Sequence, residues 1–273
     1  MSNVLSYLFE TNAIKVCNEN NPFWYTSGKI GPYYINTHYR YGSEKEATEL
    51  LSFIDESLSN KDSLPKKVFD RVLAQYEQNE IYKTVVNTMK QYIEENVDLS
   101  EVDYVSGGER RDWFFSNILS YLLNKPHITI YKDLTTYVST SDFSNTEEIT
   151  ELENKKILHV VDLINTSSSY IKSWIPAINK LGSTICWSCA AVDRAQGGKE
   201  VLANENIKTI SIVDVDSSTF KKAFELNFIN EKQLEMIEQY IKSPDDTMKN
   251  FLINHPDFLN NALNSDEKTK KRA

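Results

Sequence analysis

The sequence is short of the residues that carry several large classes of function. Cysteine is scarce: Cys17, Cys186 and Cys189 are the only three in 273 residues. So odd and sparse a set excludes a disulfide scaffold and fits a reducing compartment. Two of them read as C-x-x-C (Cys186-Trp-Ser-Cys189), but the motif lies inside a strand-like run, 183–192, rather than opening a helix as a redox pair does. The four histidines have no metal-ligand spacing, so no protein-built metal centre is expected. Positive charge is in deficit, with 30 Lys and Arg against 39 Asp and Glu and a net charge of −9. That excludes a general nucleic-acid binder, whose phosphate contacts need a basic face. No apolar run approaches membrane-spanning length, and the opening MSNVLSYLFE lacks a basic n-region and a cleavage signature. The expectation is a cytoplasmic protein with no membrane and no nucleic-acid partner.

What is present is a pattern of alternating elements. From residue 102 short β-branched runs (102–106, 126–132, 157–162, 183–193 and 207–213) alternate with helical stretches such as 112–124. This alternation predicts an α/β fold: a mainly parallel twisted sheet flanked by helices. Ahead of it stand an amphipathic helix over 2–17 and an aromatic, turn-rich hood reaching residue 43. Helices follow over 44–60 and, as one long element, 65–96, where a helical insertion occupies about 58–95. The division expected is a domain over 1–242 and a C-terminal extension over 243–273. That extension holds a helix over about 247–263 and a charged, disordered tail from residue 265.

The most informative stretch is ILHVVDLINTSSSYI, 157–171. A buried strand ends at Asp162, and Asn165, Thr166, Ser167, Ser168 and Ser169 lead into a helix. Unpaired N–H groups at a helix start, beside hydroxyl side chains, make an anion site; the competing reading is that Ser and Asn only cap the helix. Asp162 is placed to accept from sugar hydroxyls or, through water, to meet a magnesium ion. In parallel sheets ligands sit beyond the carboxyl ends of the strands. Here those ends read GGERRD, YKDLTT, DLINTSSS and DRAQGG. Arg110 and Arg111 supply forks suited to phosphate oxygens, unless they are spent in surface ion pairs. Two anion positions flanking a sugar-binding acid describe a phosphorylated, pyrophosphorylated ribose.

These residues carry a resemblance. Residues 27–36 (SGKIGPYYIN) resemble the SG-x-x-SPYFFN element of orotate phosphoribosyltransferases, 102–108 (VDYVSGG) the strand before their pyrophosphate loop, 160–169 their phosphoribosyl pyrophosphate signature, and 191–194 (AVDR) their VDR. The resemblance, covering the chain to about residue 242, implies the type I phosphoribosyltransferase fold and a homodimer. It implies transfer of a phosphoribosyl group from phosphoribosyl pyrophosphate to orotate, in pyrimidine biosynthesis, with Mg2+ carried by the substrate. Residue by residue, it implies Arg110, Arg111, Lys132, Asp162, Asn165, Thr166, Ser167, Ser168 and Ser169 on phosphoribosyl pyrophosphate. Lys29, Tyr34, Ile35, Asn165 and Arg194 would then face orotate, with Asp162, Lys132 and Arg111 as the catalytic set.

The departures are as specific. Val161 stands where the signature has a second acid, Ser167 and Ser168 replace its glycines, and Thr26 replaces a lysine before SG. Of the family's basic mobile loop only Lys132 survives, followed by an acidic, Ser-rich run over 139–153. Three functions therefore stand: the orotate enzyme, a phosphoribosyltransferase for another carboxylated planar base, and a non-catalytic relative that binds a nucleotide or phosphoribosyl pyrophosphate.

Overall fold

Strand pairing follows the β-branched runs. The computed structural model describes residues 2–18, 21–25, 28–265 and 267–271; Thr26 and Ser27 lie outside them. The chain divides into two compact units, Met1–Thr11 with Thr37–Asp214, and Asn12–Asn36 with Val215–Ala273. This differs from the expected 1–242 domain: hood residues and C-terminal helices group together rather than with the sheet.

The first unit opens with α1 (Ser2–Glu10). The expected helix over 2–17 ends there, because Asn12 takes a left-handed conformation (φ 57°) and the β-branched residues after it enter a strand. In the second unit β1 (Ile14–Val16) pairs antiparallel with β4 (Tyr33–Ile35), and β2 (Phe23–Trp24) with β3 (Ile30–Gly31). Back in the first unit, a 3₁₀ turn, Thr37–Tyr41, precedes α2 (Glu44–Ser57), α3 (Leu64–Gln78) and α4 (Glu80–Asn96). The long helix expected over 65–96 is thus two. Asn79 is extended, donates its N–H to Gln75 and accepts from Tyr82 N–H through its side chain, closing one helix and capping the next.

The remaining elements of this unit are β5 (Tyr104–Gly108), α5 (Trp113–Leu122), β6 (His127–Ile130), β7 (Thr136–Ser139), β8 (Thr146–Ile149) and β9 (Lys156–Ile164). A π-helical stretch, Tyr170–Trp174, then enters α6 (Ile175–Lys180), followed by β10 (Thr184–Asp193), α7 (Gly198–Asn204) and β11 (Lys208–Ser211). The seven strands run β11-β10-β9-β5-β6-β7-β8, parallel as far as β6 and antiparallel thereafter. β9 does not stop at Asp162 but continues to Ile164, and the acidic run is not a loop but the β7–β8 hairpin. Cys186 and Cys189 lie on β10, free, with thiols that burial pushes up, Cys189 to about 12. Such thiols stay protonated at neutral pH, as expected for a motif within a strand.

Helices cover both faces. Trp174, Ala177 and Ile178 with Leu202 of α7 pack on Ile128, Ile157, Val161 and Ala190. On the opposite face α4 and α5 cover the sheet and α3 lies outside α5. The insertion is therefore a structural layer: Tyr82, Val85, Val86, Met89 and Ile93 of α4 are fully buried, and the Tyr82 hydroxyl donates to the Phe114 carbonyl. Removing any one of these from water contributes about 1.5–3 kcal/mol.

The second unit holds four longer helices after the sheet, α8 (Ser217–Glu225), α9 (Glu231–Lys242), α10 (Pro244–Asn254) and α11 (Asp257–Leu263), then a single turn, α12 (Glu267–Lys270). Asn230 and Gln233 form a capping box on α9. The helix expected over 247–263 breaks at Pro256, which has no N–H to continue it, and the tail expected to be disordered carries α12.

Candidate functional site

The cleft opens where strands β5 and β9 separate. Their ladder runs only from Tyr104↔Ile157 to Ser106↔His159, and beyond it the two chains diverge. A cavity of about 350 Å3 fills the gap, lined by Glu109, Arg110, Arg111, Asp112, Lys132, residues 161–170 and Trp174. All nine residues expected on phosphoribosyl pyrophosphate line it.

The wall after β9 presents hydroxyls. Thr166, Ser168 and Ser169 are exposed, and Ser167 is buried with its Oγ donating to the Gly198 carbonyl at 2.9 Å. Ser167 sits at φ +56°, where a glycine is favoured and an L-residue pays roughly 1–2 kcal/mol. This is one of the positions where serine replaces an expected glycine. Gly198 is a close-approach glycine: a Cβ there would lie 2.4 Å from the Asn165 carbonyl oxygen. The buried Asn165 Oδ1 has no protein partner.

The wall after β5 brings cations that are already engaged. Arg110 pairs with Asp55 of α2 and points Nη1 at the Leu51 carbonyl, 3.4 Å away. Glu109 lies 3.7 Å from Lys132 Nζ and accepts from the Lys132 N–H at 3.1 Å. Arg111 has no ion-pair partner among the described residues. Residues 131–135, at the place where the resemblance puts the family's basic mobile loop, form a tight turn: Asp133 pairs with Lys61 and accepts from Thr135, and the Tyr131 hydroxyl donates to the Lys61 carbonyl at 2.9 Å.

Asp162 lies between the walls, 8 % exposed. Burial first, and then the neighbouring Asp112 carboxylate, push its carboxyl up to about 7, against the pull of Arg111 and Arg40. Arg40 is wholly buried in the 3₁₀ turn. Its Nη2 donates to the Ala191 carbonyl at 2.9 Å, while Nε and Nη1 have no protein partner. Burial lowers its pKa and Asp162 opposes that, leaving a cation at neutral pH. His38 is driven down to about 3 by burial, with Arg111 and Arg110 adding to the effect, so it is neutral.

Of the residues expected on orotate that belong to the first unit, Asn165 lines this cleft and Arg194 does not. Arg194 follows β10, its N–H bonded to the Ile164 carbonyl at 2.9 Å, and it is not among the lining residues. Lys29, Tyr34 and Ile35 belong to the other unit. There Lys29 pairs with Asp245 at 2.7 Å, Tyr34 packs obliquely near Phe23 and Tyr25, and Ile35 is buried in β4 opposite Ile14. Sequence reasoning missed Asp112, which follows GGERR and precedes α5, where an aspartate reads as an ordinary cap. No side-chain cap bond forms.

No family model and no curated protein matches the sequence. Solved structures do resemble the fold. UMP synthase from Leishmania donovani superposes with a TM-score of 0.59 at 14% identity, over 88% of this chain and 41% of that one. The orotate phosphoribosyltransferase of Francisella tularensis gives 0.55 at 13% identity, over 86% and 96%, and that of Aeropyrum pernix 0.53 at 17%, over 83% and 99%. This chain thus spans about two fifths of the UMP synthase chain, and the likeness shows the type I phosphoribosyltransferase fold. Among the described residues no group of three or more His, Cys, Asp or Glu is placed to hold a metal, and no helix is long and apolar enough to cross a membrane.

Proposed function

We propose that the cleft binds phosphoribosyl pyrophosphate and passes its phosphoribosyl group to orotate, releasing pyrophosphate. The observation that carries this reading is the joining of Asp162, the hydroxyl loop 165–169 and Arg111 around one cavity at the carboxyl ends of β5 and β9. The loop would take the 5-phosphate, ionised Asp162 would accept from the ribose hydroxyls, and Arg111 would face the diphosphate, helped by Lys132. As the C1–O bond to pyrophosphate lengthens, a ring nitrogen of orotate takes the carbon. The protein's contribution is positioning and stabilisation of the negative leaving group. No general base on the protein is needed, and neutral His38 is no obstacle. Magnesium would enter on the diphosphate, reached from the protein through Asp162, and would supply further neutralisation of the leaving group. We extend the proposal to a homodimer, on the resemblance alone; analytical ultracentrifugation tests it.

A second reading, binding of the same ligand without transfer, is favoured by the pairing of Arg110 with Asp55 and of Lys132 with Glu109. Purified protein with magnesium, orotate and phosphoribosyl pyrophosphate decides between them. Loss of orotate absorbance is the expected result. Calorimetric binding of phosphoribosyl pyrophosphate without turnover selects the second reading, turnover only with another carboxylated base redirects the first, and no heat and no turnover sink both.

A further inference from the structure

Asp112 bridges the gap in which the cleft lies. Its Oδ2 accepts from the Gly108 N–H at 3.0 Å and its Oδ1 from the Asp162 N–H at 3.1 Å. Gly108 ends β5 and Asp162 lies near the end of β9, past the last rung of the ladder between those strands. One carboxylate thus replaces the rungs that the diverging strands lack, tying the start of the cation wall to the start of the hydroxyl wall. Beside it stands a fully buried His159: its Nδ1 is 2.8 Å from Ser106 Oγ, and its Nε2 lies 3.7 Å from Asp112 Oδ2, beyond hydrogen-bond distance. A Cβ on Gly108 would meet the Trp174 ring at 2.3 Å, so the bonded segment has no room to slide.

We propose that Asp112 is the positioning residue of this site, fixing the spacing between the two walls and the register of Asp162 within it. The consequence for ligand rests on the phosphoribosyl-binding reading; the consequence for Asp162 does not. Both Asp112 oxygens are used as acceptors, so an amide cannot substitute: in Asp112→Asn one oxygen becomes NH2 and one of the two backbone N–H groups is orphaned. The groups facing Asp162 besides Asp112 are Arg111, Arg40 and the Tyr170 ring.

The test uses Asp112→Asn in the full chain, with magnesium and phosphoribosyl pyrophosphate as the probe. Affinity for that ligand is expected to fall at least about tenfold, the KM for orotate to stay unchanged, and the amide hydrogens of Gly108 and Asp162, which Asp112 holds, to exchange faster with solvent. Binding within twofold of the unmodified protein, together with unchanged exchange at both amides, overturns the proposal. If the unmodified protein binds no phosphoribosyl pyrophosphate, the site reading fails, and exchange at the two amides alone decides the positioning role. Should the variant fail to fold, the unmodified protein serves: both amides are expected to exchange far more slowly than those of the exposed Thr166 and Ser168. Exchange as fast as theirs overturns the proposal.

Discussion

Of the two walls that face each other across the cleft, the one after β5 brings cations and the one after β9 brings hydroxyls. They differ in how much of that chemistry is already spent inside the protein. Arg110 and Lys132 each have an acid of their own, Asp55 and Glu109, whereas Thr166, Ser168 and Ser169 are exposed at the cavity. A ligand therefore meets a ready hydroxyl wall and a cation wall whose free charge is mostly Arg111. Counting basic residues near a cleft therefore overstates its field; what matters is the charge left after internal pairing.

That contrast can be broken most severely at Arg111. Arg111→Ala is expected to lower turnover about a hundredfold, and Arg110→Ala far less, because Asp55 already holds that guanidinium; steady-state kinetics on both variants checks the order. Equal losses would show that Arg110 leaves Asp55 when ligand arrives. The hydroxyl wall is next. Gly198→Ala puts a methyl against the Asn165 carbonyl and is expected to cost about 1–3 kcal/mol of stability, read as a lower melting temperature together with weaker phosphoribosyl pyrophosphate binding.

The two walls also differ in their response to acid, because Asp162 titrates between them. The folded protein holds a proton on Asp162 that the unfolded chain releases near pH 4, so this group's contribution to stability is full below pH 4 and is lost as the pH rises through about 7. A ligand that takes the ionised carboxylate gains affinity over the same range, up to about tenfold per pH unit. Calorimetry across pH 5.5–8 checks this, and the slope is expected to flatten in Asp162→Asn to what the ligand's own phosphate ionisation leaves. The smallest effect is expected at Ser167→Gly, where relief of the positive φ outweighs the lost bond to Gly198 by less than about 1 kcal/mol. A fall in melting temperature would reverse that ranking.

Much of this was legible in the chain. The strands were readable because β-branched runs bounded by turn residues have few alternatives, and the hydroxyl loop because so many hydroxyl residues cluster just after a buried strand. Asn79 and Pro256 were readable in principle as helix breaks, yet the apolar stripes on either side of each run on in phase. Pairing was not legible: nothing local to Arg110 announces Asp55, which is brought to it by the packing of α2. Nor was Asp112, since an aspartate before a helix has the same sequence signature whether it caps that helix or turns to bond another strand. The acidic run over 139–153 misled for a related reason. The run does lack the basic residues of the family's loop, but it is no loop: its Thr and Ile residues carry a hairpin.

That hairpin has one more consequence. β8 is the last strand of its sheet, and it shows Glu147 and Glu148 exposed to water. A bare outer strand invites a second copy to continue the ladder. Here a second copy arriving edge-on would bring glutamates against glutamates, a meeting of like charges that works against continuing the ladder.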